Sequence, residues 1–472
     1  MRKPLLVSLL ALLVSGCMIG PDYFRPAVDT PPAWRLSEQN AKDLANTAWW
    51  EQFGDPVLNE LVATALRENK DLMIAAARIE EFAGNYGIVR SGLFPQVGVG
   101  YEAARQRDIS ASLLGAGDGR TYNSYEVALN ASWEIDIWGR IRRQTEAARA
   151  QLLASEEGRR GVILSLVGGV AASYINLRAL DRQLEIAKGT AKSRGESYEI
   201  FKLRFSGGVI SLLELSQNKS QYEEALATIP PLEKAIAQQE NGLSVLLGRN
   251  PGPIMRGKDI DQLVLPMIPA GLPSDLLERR PDIRRAEQNL IAANALIGAA
   301  KAAYYPTISL TGLFGYASLS LGNLFNSQSK LWQYAAPISM PIFTGGGLAG
   351  QLQAAEATQQ QALFGYQKAI QEAFREVNDA LVNQDRTGAQ LEAQKEQVKS
   401  LEQYSETARL RYDNGYTSYI EVLDAERSLF NAQLQYTQTQ QTLFQAMTNL
   451  YKAMGGGWVA EAEKMSAQPT AK

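Results

Sequence analysis

The second half of this chain repeats the first. Asp71, Gly87 and Pro95 recur as Asp282, Gly298 and Pro306, 211 positions later. Further along, Gly139, Ala147, Ala148, Arg204, Gly208, Ser211, Glu214 and Gly248 return as Gly346, Ala354, Ala355, Arg411, Gly415, Ser418, Glu421 and Gly455, a shift of 207. A shift held without a gap for about a hundred residues points to long packed helices, where an insertion would rotate every later residue off its face. The period is far above the roughly 20–50 residues of solenoid repeats, so the sequence reads as one two-fold duplication. The change of shift falls between Pro95 and Gly139, the stretch where length is free to vary.

Histidine is absent from all 472 residues, which removes the commonest general base and zinc ligand. The nine Met are scattered, so copper has no thioether cluster, and neither metal nor cofactor is expected. A net charge of −3 with no basic run gives nucleic acid no footing.

The single cysteine closes a leader. Arg2 and Lys3 precede an apolar run from Leu5 to Val14, which ends in Val14-Ser15-Gly16-Cys17. This resembles a bacterial lipobox, in which residues 1–16 are a signal peptide and the Cys17 thiol is lipidated (palmitate among its acyl groups). The plainer alternative is an ordinary signal peptide with an incidental thiol. Met18 stands where an aspartate would hold an enteric lipoprotein in the inner membrane, so the outer membrane is expected. No later apolar run approaches the roughly 18 residues of a membrane helix.

Four segments alternate with period 2. Val97, Val99 and Tyr101 share one face of the first, and Val127, Leu129, Ala131, Trp133, Ile135 and Ile137 one face of the second. In the second half Ile308, Leu310, Phe314 and Tyr316 form one stripe, and Trp332, Tyr334, Ile338, Met340 and Ile342 another. Each reads as a strand able to cross a bilayer at a tilt, where about 9–11 residues suffice. Arg105 to Arg120 and Leu319 to Lys330 are then the outer loops. Trp133, Trp138 and Trp332 are candidates for an interface belt or for ordinary core. Glu134 and Asp136 share a strand face as a glycosidase pair might, but no nucleophile, base or cofactor motif lies nearby. They are expected to line a water-filled lumen. Gly345-Gly346-Gly347 lacks the Lys-Ser/Thr of a phosphate loop and falls where a strand must become a helix. Two hairpins cannot close a barrel, and an open edge cannot lie in lipid, so several copies must share one.

Each hairpin leads into a long helix. No proline occurs from Gly139 to Phe205 or from Gly346 to Tyr412, and either run would reach roughly 100 Å. Each stops at a matched break, Arg204-Phe205-Ser206-Gly207-Gly208-Val209-Ile210-Ser211 and Arg411-Tyr412-Asp413-Asn414-Gly415-Tyr416-Thr417-Ser418. Glycine or asparagine supplies the left-handed cap there, and the serine caps the returning helix. Gly248 and Gly455 end the returning helices, and six prolines from Pro251 to Pro281 mark an irregular connector.

With these features the chain resembles the outer membrane factor family, the TolC-, OprM- and NodT-like exit ducts of efflux systems, over essentially its whole length. The markers are Cys17-Met18-Ile19-Gly20-Pro21-Asp22-Tyr23, Trp49-Trp50-Glu51-Gln52-Phe53-Gly54-Asp55-Pro56, Leu277-Glu278-Arg279-Arg280-Pro281-Asp282-Ile283-Arg284 and Leu450-Tyr451-Lys452-Ala453-Met454-Gly455-Gly456-Gly457-Trp458. The resemblance implies an α+β membrane protein working as a homotrimer. Four strands per chain would build a twelve-stranded outer-membrane β-barrel that continues into a long periplasmic α-helical barrel. Expected divisions are a lipidated extension at 17–54, a first repeat at 55–248 with hairpin 96–138 and tip 205–211, and a connector at 249–281. A second repeat occupies 282–455 with hairpin 307–344 and tip 412–418, and a tail 456–472.

The resemblance also implies partners: outer-membrane lipid, a periplasmic adaptor (membrane fusion) protein and an inner-membrane pump of the RND type. It assigns adaptor docking to the tips, here Arg204, Gly208, Val209, Ser211 and Leu212 with Arg411, Gly415, Tyr416, Thr417 and Ser418. It places a periplasmic gate at Ile420 and Asp424. Arg427 shares their helical face, whereas the first repeat has Leu213, Gln217 and Ser220 there. The expected function is passive multidrug or small-molecule export, not catalysis. A lipid-anchored periplasmic coiled-coil scaffold without channel activity is the alternative, and the paired amphipathic strands argue against it.

Overall fold

A computed structural model describes residues 18–28, 30–31, 34, 48–108, 120–266, 276–455, 459 and 462–463. Cys17, its leader and Trp458 lie outside them. The principal elements are α1 (Pro56–Glu68), α2 (Lys70–Ser91), β1 (Gln96–Asp108), β2 (Arg120–Ile135), α3 (Arg140–Ser206) and α4 (Leu212–Leu246). Then come α5 (Pro281–Ala302), β3 (Thr307–Ser318), β4 (Lys330–Ala335), β5 (Ile338–Ser339), α6 (Gly347–Asp413) and α7 (Tyr419–Ala453). The repeat is legible in their lengths. Helices α2 and α5 have 22 residues each, α3 and α6 have 67, and α4 and α7 have 35.

Two compact units divide the chain, and each takes segments from both halves. The first draws on Met1–Ala27, Arg78–Glu156 and Arg285–Gln367; the second on Val28–Ala77, Glu157–Arg284 and Lys368–Lys472.

The first unit holds one antiparallel sheet in the order β1-β2-β3-β4, with β5 pairing β3. Its register sets like with like. Val99, Leu129, Phe314 and Trp332 lie in one row across four strands, and Val97, Ala131, Gly312 and Tyr334 in the next. A third row runs Tyr101, Val127, Tyr316 and Lys330. The opposite face carries Gly98, Asn130, Leu313 and Gln333 in one row and Glu102, Glu126 and Ala317 in another. The large apolar face is open, with Val99, Phe314 and Trp332 all exposed, as a face meant for lipid would be. Strands β1 and β4 form the sheet's two edges.

Three expectations change here. The first hairpin runs further out than its pattern suggests, because Arg105–Asp108 pairs with Arg120–Asn123 and belongs to the sheet. The fourth strand is shorter. It stops at Ala335, since Pro337 has no N–H to donate, and only Ile338 and Ser339 rejoin β3. Met340 and Ile342 lie beyond it. Third, Asp136 does not share a strand face with Glu134, because β2 ends at Ile135. Glu134 grips Arg140 at 2.7 Å, and Asp136 accepts the Ile141 and Arg142 amides at 3.1 and 2.8 Å, capping α3.

The segment after Cys17 is tied down within this unit. The Ile19 amide donates to the Trp138 carbonyl at 3.1 Å. The buried Arg143 donates to Asp22 at 2.7 Å and to Glu146 at 2.9 Å, while Arg25 pairs with Glu287 at 2.6 Å. Trp133 and Trp138 donate their indole N–H groups to the Leu93 and Pro306 carbonyls, just below the strands that come after those turns.

The second unit has the larger core. Trp49, Trp50 and Phe53 are buried in it with Leu58, Tyr174, Phe444 and Tyr451, and Trp49 stacks on Tyr451 at 5.1 Å. Asp55 is fully buried yet satisfied: it accepts the Val57 amide at 2.9 Å, the Tyr174 hydroxyl at 2.7 Å and the Lys258 amide at 3.0 Å. Arg280 is buried as well, donating to the Ala453 carbonyl at 2.9 Å and to Glu376 and Asp282 at 2.7 Å. Contrary to the sequence expectation, an 18-residue stretch of α3 is apolar enough to cross a membrane, with mean hydropathy 1.5. It is a core helix instead: 67% of it is buried, and Ile163, Val167, Val170 and Ile175 face this core.

Candidate functional site

The two tips in the second unit are built by one hydrogen-bond pattern. At the first, the Gly208 amide donates to Phe205 and the Val209 amide to Arg204, both at 2.9 Å. At the second, Gly415 donates to Tyr412 at 2.9 Å and Tyr416 to Arg411 at 2.8 Å. This reversal needs a left-handed residue, and Gly208 and Gly415 both sit at φ 75°. Glycine does this in both tips. Asn414 does not; its side chain donates back to the Leu410 carbonyl at 2.7 Å.

The returning helices start differently. Ser211 forms a full capping box: its hydroxyl accepts the Glu214 amide at 3.3 Å, and Glu214 accepts the Ser211 amide at 2.8 Å. Ser418 makes no such bond, against expectation. There Glu421 is taken up by the Thr417 hydroxyl instead. Val209, Leu212 and Tyr416 are exposed at the tips. Arg204 lies over the Phe201 ring and donates to the Tyr412 hydroxyl at 3.4 Å, so it links the first tip to α6.

The candidate gate residues are brought together. Asp424 accepts from Arg427 at 2.9 Å, both half-exposed, and Ile420 is exposed on the same face of α7. They line one side of a groove of about 510 Å³, with Gln217 and Ser220 of α4 on the other. Among the described residues Asp424 has one ion pair, exposed, so little holds its carboxylate in place within one chain.

A partly buried charged cluster behind this groove, centred on Arg194, escaped the sequence reading. Arg194 is 4% exposed, donates to the Gln221 carbonyl at 2.8 Å, lies 3.6 Å from Glu224 and sits 5.3 Å over the Phe430 ring. Burial lowers its pKa, against the pull of Glu224 and Glu426. Glu426 approaches Arg409 at 3.6 Å, and burial raises its carboxyl above the ordinary value, opposed by Arg409 and Arg194. One signal was available: the position 207 residues before Glu426 is Lys219, a reversal of charge between repeats.

A sequence profile described as outer membrane efflux protein matches residues 61–249 and 272–456, one segment for each repeat. The chain belongs to the outer membrane efflux protein family. As such a protein it is similar to the toluene efflux pump outer membrane protein TtgF of Pseudomonas putida, 37% identical over 480 residues that cover 99% of both chains. It is also similar to the cation efflux system protein CusC of Escherichia coli, 38% identical over 96% of this chain and 98% of that one. Among solved structures, the Campylobacter jejuni CmeC outer membrane channel superposes with a TM-score of 0.89 at 26% identity, covering 96% of this chain and 98% of that one. The open-state Neisseria gonorrhoeae MtrE outer membrane channel gives 0.84 at 32%, covering 94% and 99%. An outer membrane efflux protein therefore carries these tips and this groove.

Proposed function

We propose that this outer membrane efflux protein is the exit duct of an envelope-spanning pump and works as a homotrimer. One observation carries the reading: a sheet in the order β1-β2-β3-β4, with β5 following β4 along β3, that has an exposed apolar face and two open edges, β1 and β4. In lipid, each unpaired edge amide or carbonyl costs several kcal/mol. Pairing β4 of one chain with β1 of the next removes both edges, and three chains close a twelve-stranded barrel. The polar face, with Glu102, Asn130 and Gln333, then lines the water-filled interior.

The long helices extend into the periplasm, where the paired tips meet an adaptor protein and, through it, an inner-membrane pump of the RND type. Ile420, Asp424 and Arg427, three copies of each, form the periplasmic gate, and Cys17 carries the lipid anchor. The duct is passive; the pump supplies the energy. The coiled-coil scaffold is not favoured, because a scaffold has no use for a sheet whose open face is apolar. Mass measurement in mild detergent with conductance in planar bilayers tests this: three chains per channel are expected, and a stable conducting monomer would overturn it.

A further inference from the structure

The sheet separates charge by face. Glu102 and Glu126 sit opposite one another on the polar face, which also holds Glu134. On the apolar face, the alternation that starts with Val97, Val99 and Tyr101 continues through Ala103 to Arg105 and Arg107, paired with Asn123 and Thr121. Lys330 joins that face opposite Tyr316. All three cations are exposed. Among the described residues of β1 through β4 no acidic side chain occurs on this face, so nothing within the wall neutralises them.

Their height is informative. From the Ile135–Ile308 row to the Tyr101–Tyr316 level is eight residues along β2 and β3. At the tilt of a membrane barrel this is about 20 Å, close to a full hydrocarbon band. Arg105 lies two rows further out, about 10 Å above Tyr101 at the same tilt, where headgroups begin. It is also the end away from the helices, because α2 and α5 enter β1 and β3 at Gln96 and Thr307. With the helices in the periplasm, as proposed above, this rim faces the outer leaflet.

We propose that Arg105, Arg107 and Lys330 form a lipid-facing cationic belt that binds the phosphate groups of a phosphorylated outer-leaflet glycolipid. A guanidinium fork matches a phosphate bidentately, and Lys330, below Arg105, can extend its stem along the apolar wall toward the headgroups. The tyrosines below offer the sugar and upper acyl boundary an amphipathic surface. This rests on the barrel reading, and the experiment separates the two.

The detergent-purified trimer is titrated with lipid A and, separately, with dephosphorylated lipid A, and bound copies are counted by native mass spectrometry. The intact protein should retain lipid A at least tenfold more tightly than the dephosphorylated form, because removing the phosphates removes the charge-assisted hydrogen bonds. Inorganic phosphate should not displace the lipid. Arg105→Gln with Arg107→Gln and Lys330→Gln should abolish the preference, whereas Arg105→Lys with Arg107→Lys should keep most of it. Equal retention of both lipids by the unaltered trimer, or displacement by inorganic phosphate alone, overturns the belt while leaving the duct intact. A purified protein that is not trimeric overturns the barrel reading instead.

Discussion

The Tyr419 ring packs 4.3 Å from the Phe201 ring, joining the start of α7 to the end of α3. Tyr412 closes on it from α6 at 5.0 Å, and Asn218 donates to its hydroxyl at 2.6 Å. Leu212, at the same place in the first repeat, is exposed. The repeats thus differ at one anchoring residue, which ties the second tip to the first.

Tyr419→Leu, which copies the first repeat, should lose this ring cluster and destabilise the tip region by about 2–4 kcal/mol. Tyr419→Phe should lose only the Asn218 bond, about 1 kcal/mol. Thermal unfolding together with limited proteolysis between α6 and α7 would measure both. A Tyr419→Leu protein as resistant as its parent would mean that the tips are held together elsewhere.

Bulky residues at the tips should separate docking from folding. A Cβ added at Gly208 or Gly415 meets nothing within 4 Å, so the cost comes from φ alone, about 1–2 kcal/mol. Gly208→Trp and Gly415→Trp should therefore assemble normally and fail in efflux, because each would project into the proposed adaptor contact. Drug resistance of a complemented deletion strain is the readout. Full resistance at normal protein levels would reduce both tips to plain turns.

The sequence makes the helices legible because their determinants are local. A proline-free run, a glycine stop and a constant shift of 207 place α3, α4, α6 and α7 to within about a residue. The strands are read less well, since alternation runs unbroken through Pro337 in sequence while the ladder breaks there and resumes only at Ile338 and Ser339. Asp136 sits in phase with a strand yet spends both oxygens on a helix start, a partnership that only three dimensions reveal. Arg194 and Glu426 were missed for the same reason, with only the reversed charge at Lys219 to hint at them. They lie 232 positions apart, and nothing in either neighbourhood marks its residue as buried.

Glu426 should give the fold an acid-side advantage. Its carboxyl, raised by burial above the ordinary 4.5, is more readily protonated in the folded protein than in the unfolded chain. Its contribution to stability is thus full below the unfolded value and is lost as pH rises through the folded one. Melting temperature should decline from this source as pH rises above the ordinary carboxyl value of 4.5. Glu426→Gln, which cannot ionise, should flatten that decline. An unchanged slope in the variant would assign the pH dependence to other carboxylates.

The gate gives the sharpest electrical prediction. Among the described residues of one chain Asp424 is bound by Arg427 alone, across one turn of α7, and such an exposed pair contributes only tenths of a kcal/mol. In the proposed trimer the same aspartates would come in threes around the axis, and like charges repel unless each is tied to a neighbouring chain. Ile420, exposed on the same face, then supplies an apolar ring. Ile420→Ala with Asp424→Ala removes plug and ties together, so single-channel conductance in planar bilayers should rise several-fold over the parent. Asp424→Asn alone should open the channel less, because it keeps the apolar ring and a hydrogen-bonding side chain. A correctly assembled double variant with the parent's conductance would move the constriction away from this groove.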